Sequence, residues 1–225
     1  MADPNPRQCL ILFGPPGSGK GTQAKFLNQS LGWAHISTGD MLRAHLAAGD
    51  ALGQEIAAVM QSGALVSDQT VNRMVEERIK EPDCEKGFIL DGYPRTVSQA
   101  KLLSELLAAQ RIPAVVIHLK VDYNVIISRI AGRRQCLTCG ALYSVTSNAP
   151  TISEVCDYDG SKLIVREDDR PEVVERRLKA YEEQTEPVLA YFKQAGFTVE
   201  EIQGDDASPQ VIARRIEKSI QEVSV

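Results

Sequence analysis

Cys9-Leu10-Ile11-Leu12-Phe13-Gly14-Pro15-Pro16-Gly17-Ser18-Gly19-Lys20-Gly21-Thr22 is the stretch that decides the fold of this chain. A short apolar run enters a glycine-rich turn, and a helical pattern follows over residues 21–29. Strand, loop and helix in that order are the setting in which such a loop cradles phosphate. The glycines let backbone N–H groups turn inward at a helix N-terminus, where amide dipoles favour anions, and Lys20 adds a mobile positive charge. The loop departs from the usual pattern in one place: Gly21, rather than Ser or Thr, follows Lys20, and the hydroxyl arrives one residue later at Thr22. Read alone, the stretch implies a protein that grips the polyphosphate of a nucleotide.

The rest of the chain sets the frame. Its 225 residues are enough for one domain with a good core and room for insertions. A net charge of −5 argues against nucleic-acid binding, which calls for a basic face, so anions have to be met locally. The opening Met1-Ala2-Asp3-Pro4-Asn5-Pro6-Arg7 lacks the basic and apolar segments of a secretory signal, and no run reaches membrane-spanning length. Five cysteines, an odd number, suit thiols or metal ligands in a reducing compartment. The expectation is a cytoplasmic protein with no membrane or nucleic-acid partner.

Strand-like runs recur at 8–13, 88–91, 114–121 and 198–202, separated by helical patterns at 69–80, 97–110, 122–131 and 208–221. This alternation predicts an α/β fold, a parallel sheet covered by helices, with ligands at the carboxyl ends of the strands, where Lys20 and Asp91 fall. Val115, Val116, Ile117 and Leu119, and the leucines of 102–107, read as core. Two segments interrupt the alternation. The first, about 38–65, holds two helical patterns broken at Gly49-Asp50 and Ser62-Gly63. In the second, 135–169, helical periodicity vanishes and short β-prone runs at 142–145 and 162–165 lie between cysteines, which predicts a small β-rich flap. Pro171 then opens a helix carrying Arg176 and Arg177, and Pro187 ends or kinks it.

Four motifs, the loop at 14–22, Ser37-Thr38-Gly39-Asp40-Met41-Leu42-Arg43, Asp91-Gly92-Tyr93-Pro94-Arg95 and Arg166-Glu167-Asp168-Asp169, together resemble those of the adenylate kinases, a nucleoside monophosphate kinase family, over about residues 8–221. The resemblance implies a monomeric enzyme that converts ATP and AMP reversibly into two ADP. It also implies a P-loop parallel-sheet core flanked by helices, with an inserted helical AMP-binding domain at 37–66 and a lid at 133–170. Lys20, Arg43, Arg95, Arg133, Arg166 and Arg177 match the family's phosphate-binding positions. Around AMP the resemblance places Thr38, Arg43, the Ala64-Leu65-Val66 backbone, Gly92, Tyr93, Pro94, Arg95 and Gln99, with Arg166 and Arg177. Around ATP it places Gly17, Ser18, Gly19, Lys20, Gly21, Thr22, Arg133, Leu142, Tyr143 and the backbone near Asp206, although Gly204-Asp205-Asp206-Ala207 does not align uniquely.

The residue chemistry points the same way. Phosphoryl transfer needs positioning and charge neutralisation more than covalent help. Planar guanidiniums make bidentate contacts to phosphate oxygens, and though each Arg alone could be a solvated surface charge, the motif context favours function. Asp91, closing the Phe88-Ile89-Leu90 run, suits Mg²⁺ held through water, with Thr22 as a second metal-side oxygen; the alternative is that Asp91 only turns the chain before Gly92. An acceptor phosphate is already anionic, so no general base is required, and His35, His45 and His118 read as structural or surface residues. The Gln99 amide, both donor and acceptor, fits an adenine edge. Asp168 and Asp169 read as orienting arginines or holding the lid closed.

Cys136-x-x-Cys139 and Cys156-x-x-Asp159 form two knuckles separated by sixteen residues, each followed by a glycine, Gly140 and Gly160. Three thiolates and a carboxylate complete a closed tetrahedral Zn²⁺ shell, and a flap too small for its own core gains a structural brace. Iron, or a metal-free lid of reduced thiols, is the alternative. The same arrangement, with Asp as fourth ligand, occurs in the long-lid, zinc-bearing form of the family that this chain resembles. Cys9 and Cys84 lack ligand spacing and read as small buried residues. Among functions, a UMP, CMP or dTMP kinase and a GTP-using donor site share the loop. A nucleotide switch lacks its Asn-Lys-x-Asp guanine-reading motif here, and a noncatalytic nucleotide-binding protein leaves the paired arginine motifs unexplained.

Overall fold

A computed structural model describes residues 7–223; the leading segment, read above as carrying no secretory signal, falls almost wholly outside them. Five strands, β1 (Cys9–Phe13), β2 (Ala34–Ser37), β3 (Phe88–Asp91), β4 (Ala114–Lys120) and β8 (Thr198–Gln203), form one sheet in the order β2-β3-β1-β4-β8, every pair parallel. β1 lies at the centre and all five of its residues are buried. Cys9, Ile11 and Phe13 enter one hydrophobic cluster while Leu10 and Leu12 enter another on the opposite face. Side chains alternate faces along a strand, so a strand covered on both sides has to be apolar throughout.

Helices α1 (Lys20–Leu31) and α9 (Pro209–Val223) cover one face through Ala24, Leu27, Ile212, Ile216 and Ile220. The other face is covered by α4 (Asp68–Arg78), α5 (Val97–Ala109) and α8 (Pro187–Gln194), with Val71, Met74, Val75, Leu103, Leu107 and Phe192 inserted. The expected parallel sheet between helices is what the chain forms. Between β2 and α4, helices α2 (Thr38–Ala48) and α3 (Ala51–Ser62) pack on each other; Gly49 and Gly63 take left-handed φ values of 62° and 77° at their ends. β2 itself is absent from the sequence reading.

After α6 (Tyr123–Gly132), three short antiparallel strands, β5 (Arg133–Cys136), β6 (Leu142–Ser144) and β7 (Leu163–Ile164), make a second sheet in the order β6-β5-β7. Its interior is only Cys136, Tyr143, Cys156 and Leu163. Helix α7 (Pro171–Ala180) begins at Pro171 as expected. α7 ends at Ala180, a π-helical turn, Tyr181–Thr185, follows, and Pro187 is the first residue of α8. Among the described residues no helix is long and apolar enough to cross a membrane.

Candidate active site

β1 delivers the glycine loop to the carboxyl edge of the sheet, and α1 starts at Lys20. Gly17 and Gly19 hold φ values of 83° and 102°, and a Cβ on Gly17 would lie 2.8 Å from Ile130 Cγ1, so both the turn and the packing beneath it require glycine. Lys20 Nζ folds back over its own loop and donates to the carbonyls of Gly14 (2.7 Å) and Pro15 (3.0 Å). Burial pushes its pKa down to about 8, opposed by Asp91 and reinforced by Arg95, Arg177 and Arg133.

Asp91 closes β3 and faces this loop. A Cβ on Gly21 would sit 3.3 Å from Asp91 Oδ2, so the departure from Ser or Thr after Lys20 leaves room for the carboxylate. His35, on the neighbouring β2, brings Nε2 to 3.3 Å from the same oxygen. Burial opposes ionisation of Asp91, but the His35 hydrogen bond and the Lys20 charge outweigh it and hold the carboxyl below its ordinary range. His35, read from the sequence as a structural or surface residue, thus touches the candidate site through Asp91. Its signal was weak, because a histidine in a four-residue strand carries no motif.

A cleft of about 890 Å³, open to solvent, lies along this edge. Lys20, Arg43, Ala64, Leu65, Val66, Gly92, Tyr93, Pro94, Arg95 and Arg177 line it, and a smaller cavity beside it adds Thr38 and Gln99. Arg95 Nε donates to the Gly92 carbonyl (2.7 Å), as does Thr38 Oγ1 (2.8 Å). The cations are crowded. Burial, then Arg177, pushes Arg95 down to about 10; burial, then Arg43 and Arg133, pushes Arg166 down to about 10. Such a cluster is stabilised by any anion that enters it.

Three carboxylates, Asp40, Asp168 and Asp169, hold the arginines in place. Arg133, first residue of β5, pairs through Nε with Asp169 Oδ2 (2.7 Å) and through Nη2 with Asp169 Oδ1. Arg177 Nη1 meets Asp168 Oδ2 at 2.9 Å, Arg43 Nη1 lies 3.7 Å from the same oxygen, and Arg43 Nη2 meets Asp40 at 2.6 Å. Arg166 Nε donates to Gln135 Oε1 (2.5 Å), with its Nη2 4.0 Å from Asp40. The expectation that Asp168 and Asp169 orient arginines describes their contacts.

Other predicted residues lie elsewhere. Gly17, Ser18, Gly19, Gly21 and Asp91 lie beside the cleft without lining it, and Thr22, Arg133, Leu142, Arg166 and Asp206 do not line it either. Thr22 is exposed on α1. The Tyr143 ring is buried in the small sheet's interior, and its hydroxyl accepts from the Asp157 N–H (2.8 Å). The Asp206 carboxylate turns to Arg215 (2.8 Å). Its chain neighbour Gly204 does approach the loop, and the reason is Arg129, which sequence reasoning missed: one guanidinium donates to the carbonyls of Ser18 (3.2 Å) and Gly204 (2.8 Å). No local pattern distinguishes it from a surface arginine of α6.

In the small sheet, Cys136, Cys139, Cys156 and Asp159 each direct one ligand atom into a group whose members all lie within 4.8 Å of one another. Cys139 Sγ and Cys156 Sγ are 3.5 Å apart, and Cys136 Sγ is 3.2 Å from Asp159 Oδ2. A tetrahedral shell with Zn–S bonds of about 2.3 Å has ligand edges near ~3.8 Å, so the quartet fits one. Gly140 and Gly160 take φ values of 72° and 70° directly after the knuckles.

A glycine loop at the central strand, an acid at the next strand end and arginines converging from both sides define a P-loop protein built to hold two phosphate-bearing ligands face to face. Comparison with known proteins narrows the class. The adenylate kinase family model matches residues 12–197. An adenylate kinase of Anaeromyxobacter dehalogenans is 48% identical over 188 residues, 83% of this chain and 88% of the relative. One from Syntrophotalea carbinolica is 47% identical over 83% of this chain and 87% of the relative. A third, from Methanocella arvoryzae, is 42% identical over 91% and 94%. The chain belongs to the adenylate kinase family.

Proposed function

We infer that the protein is an ATP:AMP phosphotransferase, moving the terminal phosphoryl group of ATP to AMP and, in reverse, regenerating both from two ADP. The observation that carries this reading is the convergence of Lys20, Arg43, Arg95 and Arg177 on one cleft between the glycine loop and a second, smaller cavity that holds Thr38 and Gln99. The loop at 17–22, with Arg133 and the backbone at 142–143 and near Asp206, takes ATP. Thr38, Arg43, the 64–66 backbone, residues 92–95 and Gln99, with Arg166 and Arg177, take AMP. The AMP-binding insertion spans 37–66 and the lid 133–170. Lys20 and the arginines draw charge from the phosphates as it shifts toward the bridging oxygens, and closure of the lid excludes water that would otherwise accept the group.

Magnesium bound with ATP supplies further neutralisation of the phosphate charge. Asp91, through water, and Thr22 are the oxygens offered to it, and Asp91 is ionised for that role. Zinc in the Cys136, Cys139, Cys156 and Asp159 quartet braces the lid, supported by the fit of that ligand set. The protein works as a monomer in the cytoplasm.

The test is Mg²⁺-dependent ADP formation from ATP with AMP, with CMP, UMP and dTMP as parallel acceptors. Strong preference for AMP is expected; a preferred pyrimidine overturns the base assignment while keeping the mechanism. A second expectation concerns pH. With the free-protein pKa of Lys20 at about 8, kcat/KM for ATP is flat below that value and falls as pH rises through it, because the ammonium is lost. Bound polyphosphate favours the charged form, so kcat declines only at higher pH. A kcat/KM profile for ATP that stays flat to pH 10 overturns this assignment.

A further inference from the structure

The smaller cavity is walled by Gln99, a buried residue in the first turn of α5. The two ends of a glutamine amide are alike in shape and opposite in polarity, so its neighbours decide which end points where. Gln99 Oε1 accepts from the Arg95 N–H at 2.7 Å. Its Nε2 donates to Asp68 Oδ1 at 2.8 Å. Asp68 is the first residue of α4, thirty-one positions away, and does not line the cavity. Its other oxygen accepts from Thr96 Oγ1 (2.9 Å), which leaves the Thr96 lone pairs to take the Gln99 N–H (3.1 Å) and cap α5. A carboxylate only accepts and a backbone N–H only donates, so Asp68 fixes the direction of the cap and, with the Arg95 N–H, that of the amide.

We propose that Asp68 is a positioning residue for acceptor specificity: it locks the Gln99 amide in the one orientation that suits a 6-aminopurine. The proposal rests on the reading above that the smaller cavity takes the acceptor's base. With one lone pair and one N–H committed to protein, the amide keeps one acceptor and one donor for the base. The 6-amino group of adenine donates and N1 accepts. A 6-oxopurine presents the reverse, O6 accepting and N1–H donating. A locked amide tells the two apart, whereas a free one turns over and serves both.

The experiment compares Asp68→Asn, Asp68→Glu and Gln99→Leu with the parent, using AMP and IMP as acceptors at saturating MgATP. An asparagine at 68 offers N–H as well as C=O, so it no longer opposes the flipped orientation and only the Arg95 N–H still favours the parental one. Asp68→Asn is expected to raise KM for AMP by about tenfold or more, the range for losing a charge-assisted hydrogen bond. KM for ATP does not move, and the preference for AMP over IMP narrows by a similar factor; Asp68→Glu recovers a substantial part of both. If Gln99→Leu narrows the preference but Asp68→Asn does not, Asp68 is not the positioning residue. If Gln99→Leu leaves AMP binding and preference untouched, the base reading itself is wrong and the proposal falls with it. Equal losses toward ATP and AMP with a lowered Tm mark a role confined to the α4–α5 packing and also overturn it.

Discussion

Lys20→Ala lowers turnover by about 10²–10³-fold, the range seen when one preorganised charge-stabilising donor is removed from a transition state. Two facts make the expectation a strong one. The ammonium lies where the loop, Asp91 and three arginines meet, and burial holds its pKa at about 8, so its charge is little screened and is held where phosphate must sit. Its present partners are two backbone carbonyls, Gly14 and Pro15, which are weak neutral acceptors that an incoming phosphate outcompetes. The same bonds tie the loop together, so thermal melting is measured beside ADP formation. A fall in kcat with an unchanged Tm assigns the loss to the reaction; a variant retaining a third or more of parental turnover overturns the role given to Lys20.

Cys136→Ser abolishes stoichiometric zinc and lowers Tm by about 5–10 °C, the shift that two to three kcal/mol produces in a chain of this size. Cys136 is buried and its sulfur sits against Asp159, at the centre of an interior with only three other buried side chains. That interior is too small to hold a three-stranded sheet by apolar burial, so loss of the ion loosens the lid as a unit while the five-stranded sheet keeps its own core. Metal analysis of the purified protein, melting with and without a chelator, and binding of a non-hydrolysable ATP analogue give the readouts. One zinc per chain in the parent and retained analogue binding in the variant are expected. If Cys136→Ser and Lys20→Ala fail identically with folding intact, the quartet is not a structural brace.

How much of this was legible in the sequence follows from where the information resides. β1, β3 and most of β4 are buried on both faces, so Cys9–Phe13, the 88–90 stretch and the 114–117 stretch appear as apolar runs. β2 is four residues long, with His35 and Ser37 half-buried at the edge of the sheet, and leaves no such run. Gly49 and Gly63 marked the ends of α2 and α3 because left-handed caps favour glycine. The clustering of Cys136, Cys139, Cys156 and Asp159 was readable from spacing, since each knuckle is local. Arg129 and Asp68 were not. Their partners are brought to them by packing of α6 across the loop and of α4 against α5, across separations that no short pattern records. The family motifs located Gln99, but only the fold gives the orientation of its amide.

The Arg129 strap joins an early part of the chain to a late one. The loop at 14–20 is synthesised well before Gly204, which follows β8 and whose carbonyl shares the guanidinium with Ser18. β8 also completes the sheet beside β4. A growing chain can therefore form its glycine loop well before that loop is braced, and the strap closes only as β8 docks beside β4.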